Sequence, residues 1–288
     1  LVLGCEEEQS MTDMAHYIAA EPKKQVFSIV ADGQFPVCYG EKGILTITAR
    51  SKALTGGHIV GASGGIVSNM VPDRASLLLT GVDAALLLKE LEGRDIEIRA
   101  DYKTLLLTAH GKSTHAAWPE GSESAIYKLC ATLAETTFLN EEERQALAAI
   151  ASFTADYYGA GLGIAAEDEC SGKLTHIAGL LSRTKAGELE LNFNIRYPVT
   201  TKGEAFLEMA AKTLEGKGFS IVEHTLSEPG YVDPQLPIVQ KMTDIYNRIA
   251  GDDAKPYTEG GATYARKLPY AVAYGPHFPK RQLPFGQG

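Results

Sequence analysis

The sequence is poor in cysteine, in long apolar runs and in positive charge. Its four cysteines, Cys5, Cys38, Cys130 and Cys170, are spread over 288 residues. They form neither the CxxC spacing of a structural zinc site nor the density of a disulfide scaffold, so reduced thiols and a cytoplasmic setting are expected. No apolar run approaches the ~20 residues that cross a bilayer, and no charged-then-apolar signal segment opens the chain, so no membrane partner is expected. The 27 Lys and Arg are outnumbered by 36 Asp and Glu, for a formal charge of -9, and no basic cluster interrupts that balance. Such a surface repels phosphate backbones and argues against a nucleic-acid partner. The one tryptophan, Trp118, reads as packing.

What is present is ordinary globular material. Hydrophobic residues make up 44% and charged residues 22%, enough for a sizeable core, and the length exceeds that of a typical single domain. Two domains, or one domain interrupted by another, is the expectation. Leu1-Val2-Leu3 reads as the end of a buried strand whose neighbours lie upstream, which suggests a fragment. Ser10 or Thr12 can cap a helix through His16-Tyr17-Ile18 that stops before Pro22, and residues 25–30 offer a buried strand. This opening is of α/β type.

From about residue 44 the pattern changes to α+β. Residues 44–49, 75–79, 96–99 and 104–109 are strand-like, and 82–91, 123–134 and 141–151 are helical. Residues 174–181 and 189–196 read as paired strands, 203–214 as a helix and 220–225 as a strand, so the two halves of this region resemble each other. Beyond Glu228-Pro229-Gly230 a helical spacing runs from 238 to 249, and a glycine turn, Gly260-Gly261-Ala262-Thr263, leads into a short helix. The predicted architecture is a partial α/β catalytic domain, residues 1–43 and 228–288, interrupted by an inserted α+β lid, residues 44–227.

Candidate chemistry begins where Glu6-Glu7-Glu8 follows the first strand, since α/β sheets bind ligands beyond the carboxyl ends of their strands. A solvated acidic helix entry is the plain alternative. Asp32 follows the next apolar strand and could join those carboxylates at one sheet edge around a metal ion, or could simply form an Asp-Gly turn. His115 could be a surface or structural histidine. Arg196 suits a bidentate clamp on a carboxylate, or a strand-edge salt bridge.

Taken together, Gly4-Cys5-Glu6-Glu7-Glu8 with Met11-Thr12-Asp13, Asp32-Gly33-Gln34-Phe35-Pro36, Asn69-Met70-Val71-Pro72-Asp73, Gly111-Lys112-Ser113-Thr114-His115-Ala116, Arg196-Tyr197-Pro198 and Gly260-Gly261-Ala262-Thr263-Tyr264-Ala265-Arg266 resemble peptidase V-type dipeptidases. These belong to the aminoacylase and carnosinase family of dinuclear zinc exopeptidases. The resemblance covers nearly the whole chain, and its motifs recur in the family's order.

The resemblance implies that Glu7 is the general base for a metal-bridging water, that Glu8 ligates one zinc and Asp32 the other, and that His115 enters from the lid to donate to the oxyanion. It implies that Asn69 and Arg196 contact the substrate's carboxylate and backbone, with Gly260, Gly261 and Thr263 presenting N–H groups and a hydroxyl to the same carboxylate. The cofactor would be two zinc ions, with manganese or cobalt also acceptable to such ligands. The substrate would be a dipeptide or short peptide.

In the family a His-x-Asp segment and a bridging aspartate precede the first strand, and a last zinc histidine follows the stretch matched by Gly275-Pro276-His277-Phe278-Pro279. Those positions fall outside this chain. The expectation is that the parent protein is a metal-dependent dipeptidase, while this polypeptide by itself is inactive and holds little or no zinc. A missing N-terminal piece is then a candidate partner. The competing readings are an amidase of the same family acting on acylated amino acids, and a non-catalytic α+β binding or dimerisation module.

Overall fold

The computed structural model describes residues 1–7, 11–21, 23 and 25–279. It is a mixed α/β protein organised around two sheets. The larger has eight strands in the order Phe219–Ser227, Gly43–Ser51, Leu189–Tyr197, Thr175–Arg183, Ile59–Gly64, Arg74–Thr80, Thr104–His110 and Glu97–Asp101. Every neighbouring pair in it is antiparallel. The strand Gly43–Ser51 shows why it forms: Leu45, Ile47 and Ala49 alternate with Ile44, Thr46 and Thr48, and only the first set is fully buried, as a sheet with one covered face requires.

Helices Ala125–Ala134 and Glu141–Phe153 cover that face, and Gly203–Glu215 packs on the edge strand Phe219–Ser227. Their apolar sides merge with the strands into one core that includes Leu77, Leu107, Ile126, Leu147, Phe153, Phe193 and Leu214. The helix Glu141–Phe153 starts at a capping box in which Asn140 and Glu143 bond each other's backbone N–H groups, so two otherwise unpaired donors are satisfied. The fully buried Glu143 also accepts from the Ile59 N–H at 2.6 Å, tying the helix to the sheet.

The smaller, mixed sheet runs Ser28–Val30, Ala271–Ala273, Cys38–Glu41, Gly230–Tyr231, with Tyr257–Glu259 lying parallel to Cys38–Glu41. The helix Pro237–Ala250 presents Val239 and Met242 to Val37, Val232 and Val272, which forms a second and smaller core. The chain passes between the sheets at residues 41–43 and again at 227–230.

The paired strands expected at 174–181 and 189–196 are present as Thr175–Arg183 and Leu189–Tyr197, and the helix expected at 238–249 as Pro237–Ala250. Three expectations need correction. Residues 1–4 are not a strand: Leu1 and Leu3 are exposed and pair with no strand among the described residues, so their hydrophobicity alone does not make a ladder. The segment at 25–30 is a strand only over Ser28–Val30. Helix Thr12–Ala20 has no side-chain cap, since its N-cap is Met11 in the left-handed region; Ser10, the other expected cap, lies outside the described residues. The strand Ile59–Gly64 was not anticipated, because the glycines of Gly61-Ala62-Ser63-Gly64 break the apolar alternation that marks a strand.

Candidate active site

An open cleft of about 760 Å³ lies between the two sheets, and its walls gather residues from six separate stretches of sequence: Glu7, Asp32, Asn69, His115, Arg196, and Gly261 with Thr263. Glu8, the expected zinc ligand, lies outside the described residues. Gly260 faces a neighbouring cleft of about 620 Å³ instead.

His115 is held by backbone pairing rather than by a regular element. It forms an isolated bridge with Met70, the Ala116 N–H donates to the Asn69 carbonyl at 2.8 Å, and the Val71 N–H donates to the Thr114 carbonyl at 2.8 Å. The Ala117 N–H donates to His115 Nδ1 at 3.2 Å. Because Nδ1 accepts, the proton of the neutral ring belongs on Nε2. Burial first, and the nearby Arg196 guanidinium second, lower the pKa of the ring, so it is a neutral donor at pH 7. The Asn69 amide lies 3.5 Å from Nε2, too far for a well-formed hydrogen bond.

Asn69 owes its position to a glycine in the strand beneath it. A Cβ on Gly179 would stand 2.1 Å from the Ser68 carbonyl oxygen, so only glycine lets the Asn69 segment lie against the strand Thr175–Arg183 at its bulge. Gly260 in turn comes close to the His115 segment: a Cβ there would lie 2.7 Å from that of Ala117.

Arg196 projects from the strand Leu189–Tyr197 and is 6% exposed. Its Nε donates to Asn194 Oδ1 at 2.8 Å and its Nη1 to the Gly260 carbonyl at 3.1 Å. It forms no ion pair with any described residue, so the strand-edge salt bridge is not what this arginine makes. Burial, with the charge of Arg266 second, brings its pKa down to about 10, which leaves it a cation at neutral pH.

The turn at residues 260–263 differs from its expected role. The Thr263 N–H and hydroxyl both donate to the buried Glu41 carboxylate, at 3.0 and 2.6 Å, and the Gly260 carbonyl accepts from Arg196. The two donors of Thr263 are therefore committed to Glu41. The Thr263 oxygen also accepts from the Ala265 N–H at 3.1 Å and so caps the short helix Tyr264–Lys267.

Three cleft residues were not anticipated. Glu259, at the end of the strand Tyr257–Glu259, has its pKa raised to about 7, chiefly by burial and then by the charges of Glu41 and Asp32. Arg266 and Lys267 bring positive charge. The signal for Glu259 was available, since it is an acid directly after a short strand and before two glycines. Arg266 could not be found that way, because its importance comes from burial. Acidic side chains thus sit with Asp32, cationic ones with Arg196, and both sets face one cleft.

Among the described residues no three His, Cys, Asp or Glu side chains come together as a group that could hold a metal ion. A structural or catalytic zinc takes three or four protein ligands. The described donors do not fit such a centre. No helix among the described residues is long and apolar enough to cross a membrane.

No protein-family model matches the chain. Individual relatives do match over almost all of it. The chain is 30% identical over 298 residues, 98% of its own length, to "Putative dipeptidase YtjP" of Bacillus subtilis, and 27% identical over 300 residues to "Putative dipeptidase SH1171" of Staphylococcus haemolyticus. It spans 62% of the length of each. Among solved structures, aminoacylhistidine dipeptidase from Vibrio alginolyticus aligns with 90% of this chain and 60% of its own at a TM-score of 0.48 and 12% identity. The chain is a homologue of bacterial proteins described as dipeptidases. The expected resemblance to dipeptidases is thereby borne out.

Proposed function

We propose that this chain carries the substrate-gripping part of a dipeptidase, and that the complete protein hydrolyses dipeptides or short peptides. The observation that supports this best is the pairing, across one cleft, of a neutral His115 donor and a buried Arg196, without a carboxylate partner among the described residues, with the acidic side chains of Glu7, Asp32 and Glu259. A zwitterionic peptide has its charges arranged to suit such a cleft.

In this reading the peptide's carboxylate lies on Arg196, with Asn69 beside it, and its scissile carbonyl oxygen points at His115 Nε2–H. Charge that develops on that oxygen is then met by a preorganised donor, worth roughly 3 kcal/mol in comparable sites. Glu7 takes the proton from the attacking water and returns it to the leaving amine, so that one amide bond and one water become a carboxylate and an ammonium group. Two zinc ions belong to the reading as cofactors of the complete protein, with Glu8 and Asp32 as ligands, and they would acidify the attacking water. Since the described donors do not form a full centre, no step here is assigned to a metal, and the chain alone should hold little zinc. We further propose that residues 44–227 act as a lid on a catalytic unit formed by 1–43 and 228–288.

The test is hydrolysis of a dipeptide panel, and of the corresponding N-acyl amino acids, by the complete protein that the reading frame encodes and by this chain alone. Cleavage of free dipeptides by the complete protein, abolished by chelation and lowered about 100-fold or more by His115→Ala, is expected. Cleavage of acylated amino acids alone would move the reading to an amidase. No hydrolysis at any zinc or manganese concentration would leave a binding module. Stoichiometric zinc with turnover by this chain alone would refute its incompleteness.

A further inference from the structure

Two buried guanidinium groups line the cleft, and among the described residues one carboxylate lies within ion-pair distance of them. The Arg266 side chain is 2% exposed, and its nearest acid is Glu41 at 3.5 Å. That carboxylate already accepts both donors of Thr263. Arg266 Nη2 donates to the Lys42 carbonyl, but neither Nε nor Nη1 makes a hydrogen bond. Arg196 has no acidic partner among the described residues. With Glu41 ionised, the set Arg196, Arg266 and Glu41 carries a net positive charge in a desolvated wall, and such a charge is costly unless an anion meets it. Buried polar atoms are nearly always paired, so an unbonded, buried Nη1 on a residue that lines the cleft points to a group that arrives from outside.

We infer that Arg266 is a second anion-binding arginine of this cleft, and that its free Nη1 joins Arg196 in a two-arginine seat for a ligand carboxylate. The inference rests on the proposed role of Arg196 and adds to it. It also replaces Thr263 as the donor from this stretch of chain. The ligand class is a small molecule ending in a carboxylate, such as a peptide's C-terminus. Glu41 then acts as a positioning residue: it balances one of the two charges and holds residue 263, leaving the other charge for the ligand.

The test is calorimetric titration of this chain with glycylglycine and with glycylglycinamide, for the wild type, Arg196→Lys and Arg266→Lys. The lysine variant keeps a charge opposite Glu41 but loses the planar fork. The wild type is expected to prefer the acid over the amide about tenfold or more, and Arg266→Lys to weaken glycylglycine about tenfold while narrowing that preference. Wild-type affinity and preference in Arg266→Lys, with loss in Arg196→Lys, would overturn the role of Arg266 and leave that of Arg196 intact. No acid preference in the wild type would remove both. Should Arg266→Lys fail to fold, a crystal structure of the wild type with glycylglycine decides: a carboxylate oxygen within about 3.2 Å of Nη1 supports the seat, and a water there with the carboxylate on Arg196 alone overturns it.

Discussion

Glu259 sits in the cleft wall with a carboxyl raised from an ordinary glutamate value of 4.5 to about 7, by burial first and by Glu41 and Asp32 next. The folded protein therefore keeps a proton that the unfolded chain releases between those two values. Because the native state binds more protons across that window, stability falls as pH rises from about 4.5 to about 7 and stays lowered above it. Glu259→Gln removes this penalty. The variant is expected to be more stable than the wild type at pH 8, on the order of 3 kcal/mol, and nearly equal to it at pH 4. Urea midpoints at the two pH values check this, and an equal difference at both would rule out the titration as its cause. The residues themselves were largely legible: Glu7, Asp32, Asn69, His115 and Arg196 were all named from sequence and share the cleft. Thr263 was named for the wrong contact, since the acid that takes its donors, Glu41, lies 222 positions earlier in the chain, and no local pattern links the two.

At the scale of elements, the strands with clean alternation and the helices with strong amphipathic spacing were readable, because burial on one face imposes a period of 2 or 3.6 on the sequence. Positions that depend on close approach by a second segment were not. The glycines at 64 and 179 lie in strands, where propensity argues against them, and their purpose appears only when Ile126 or the Ser68 backbone lies on top. Gly179→Ala tests that purpose. A methyl group 2.1 Å from the Ser68 oxygen must push the Asn69 segment off the sheet, at an expected cost of about 2 kcal/mol or more, in the range seen for overpacked sites. An unchanged urea midpoint would show that the segment yields without strain, and that Asn69 is not positioned from below.

Across the whole molecule the two sheets are unequally supported. The eight-stranded sheet and its helices share one large core, while the mixed sheet relies on Val37, Val232, Val239, Met242, Val272 and a few partly buried neighbours. Local opening should therefore begin in the smaller unit. Hydrogen exchange read by mass spectrometry is expected to label peptides from Ser28–Val30, Cys38–Glu41 and Ala271–Ala273 well before those from Gly43–Ser51 and Leu189–Tyr197; simultaneous labelling would mean that both sheets open as a single unit.

The cleft depends on this same arrangement, since it is bounded by both sheets. Sequence alone determined the likeness to dipeptidases, through motifs in a fixed order, and the strand that carries Arg196, through its apolar pattern. Tertiary structure alone decided which donors are free. A hydrogen bond from Thr263 to Glu41, or a guanidinium nitrogen left without a hydrogen bond at Arg266, depends on which distant segments exclude water from the same volume, and that is a property of packing that no spacing along the chain encodes.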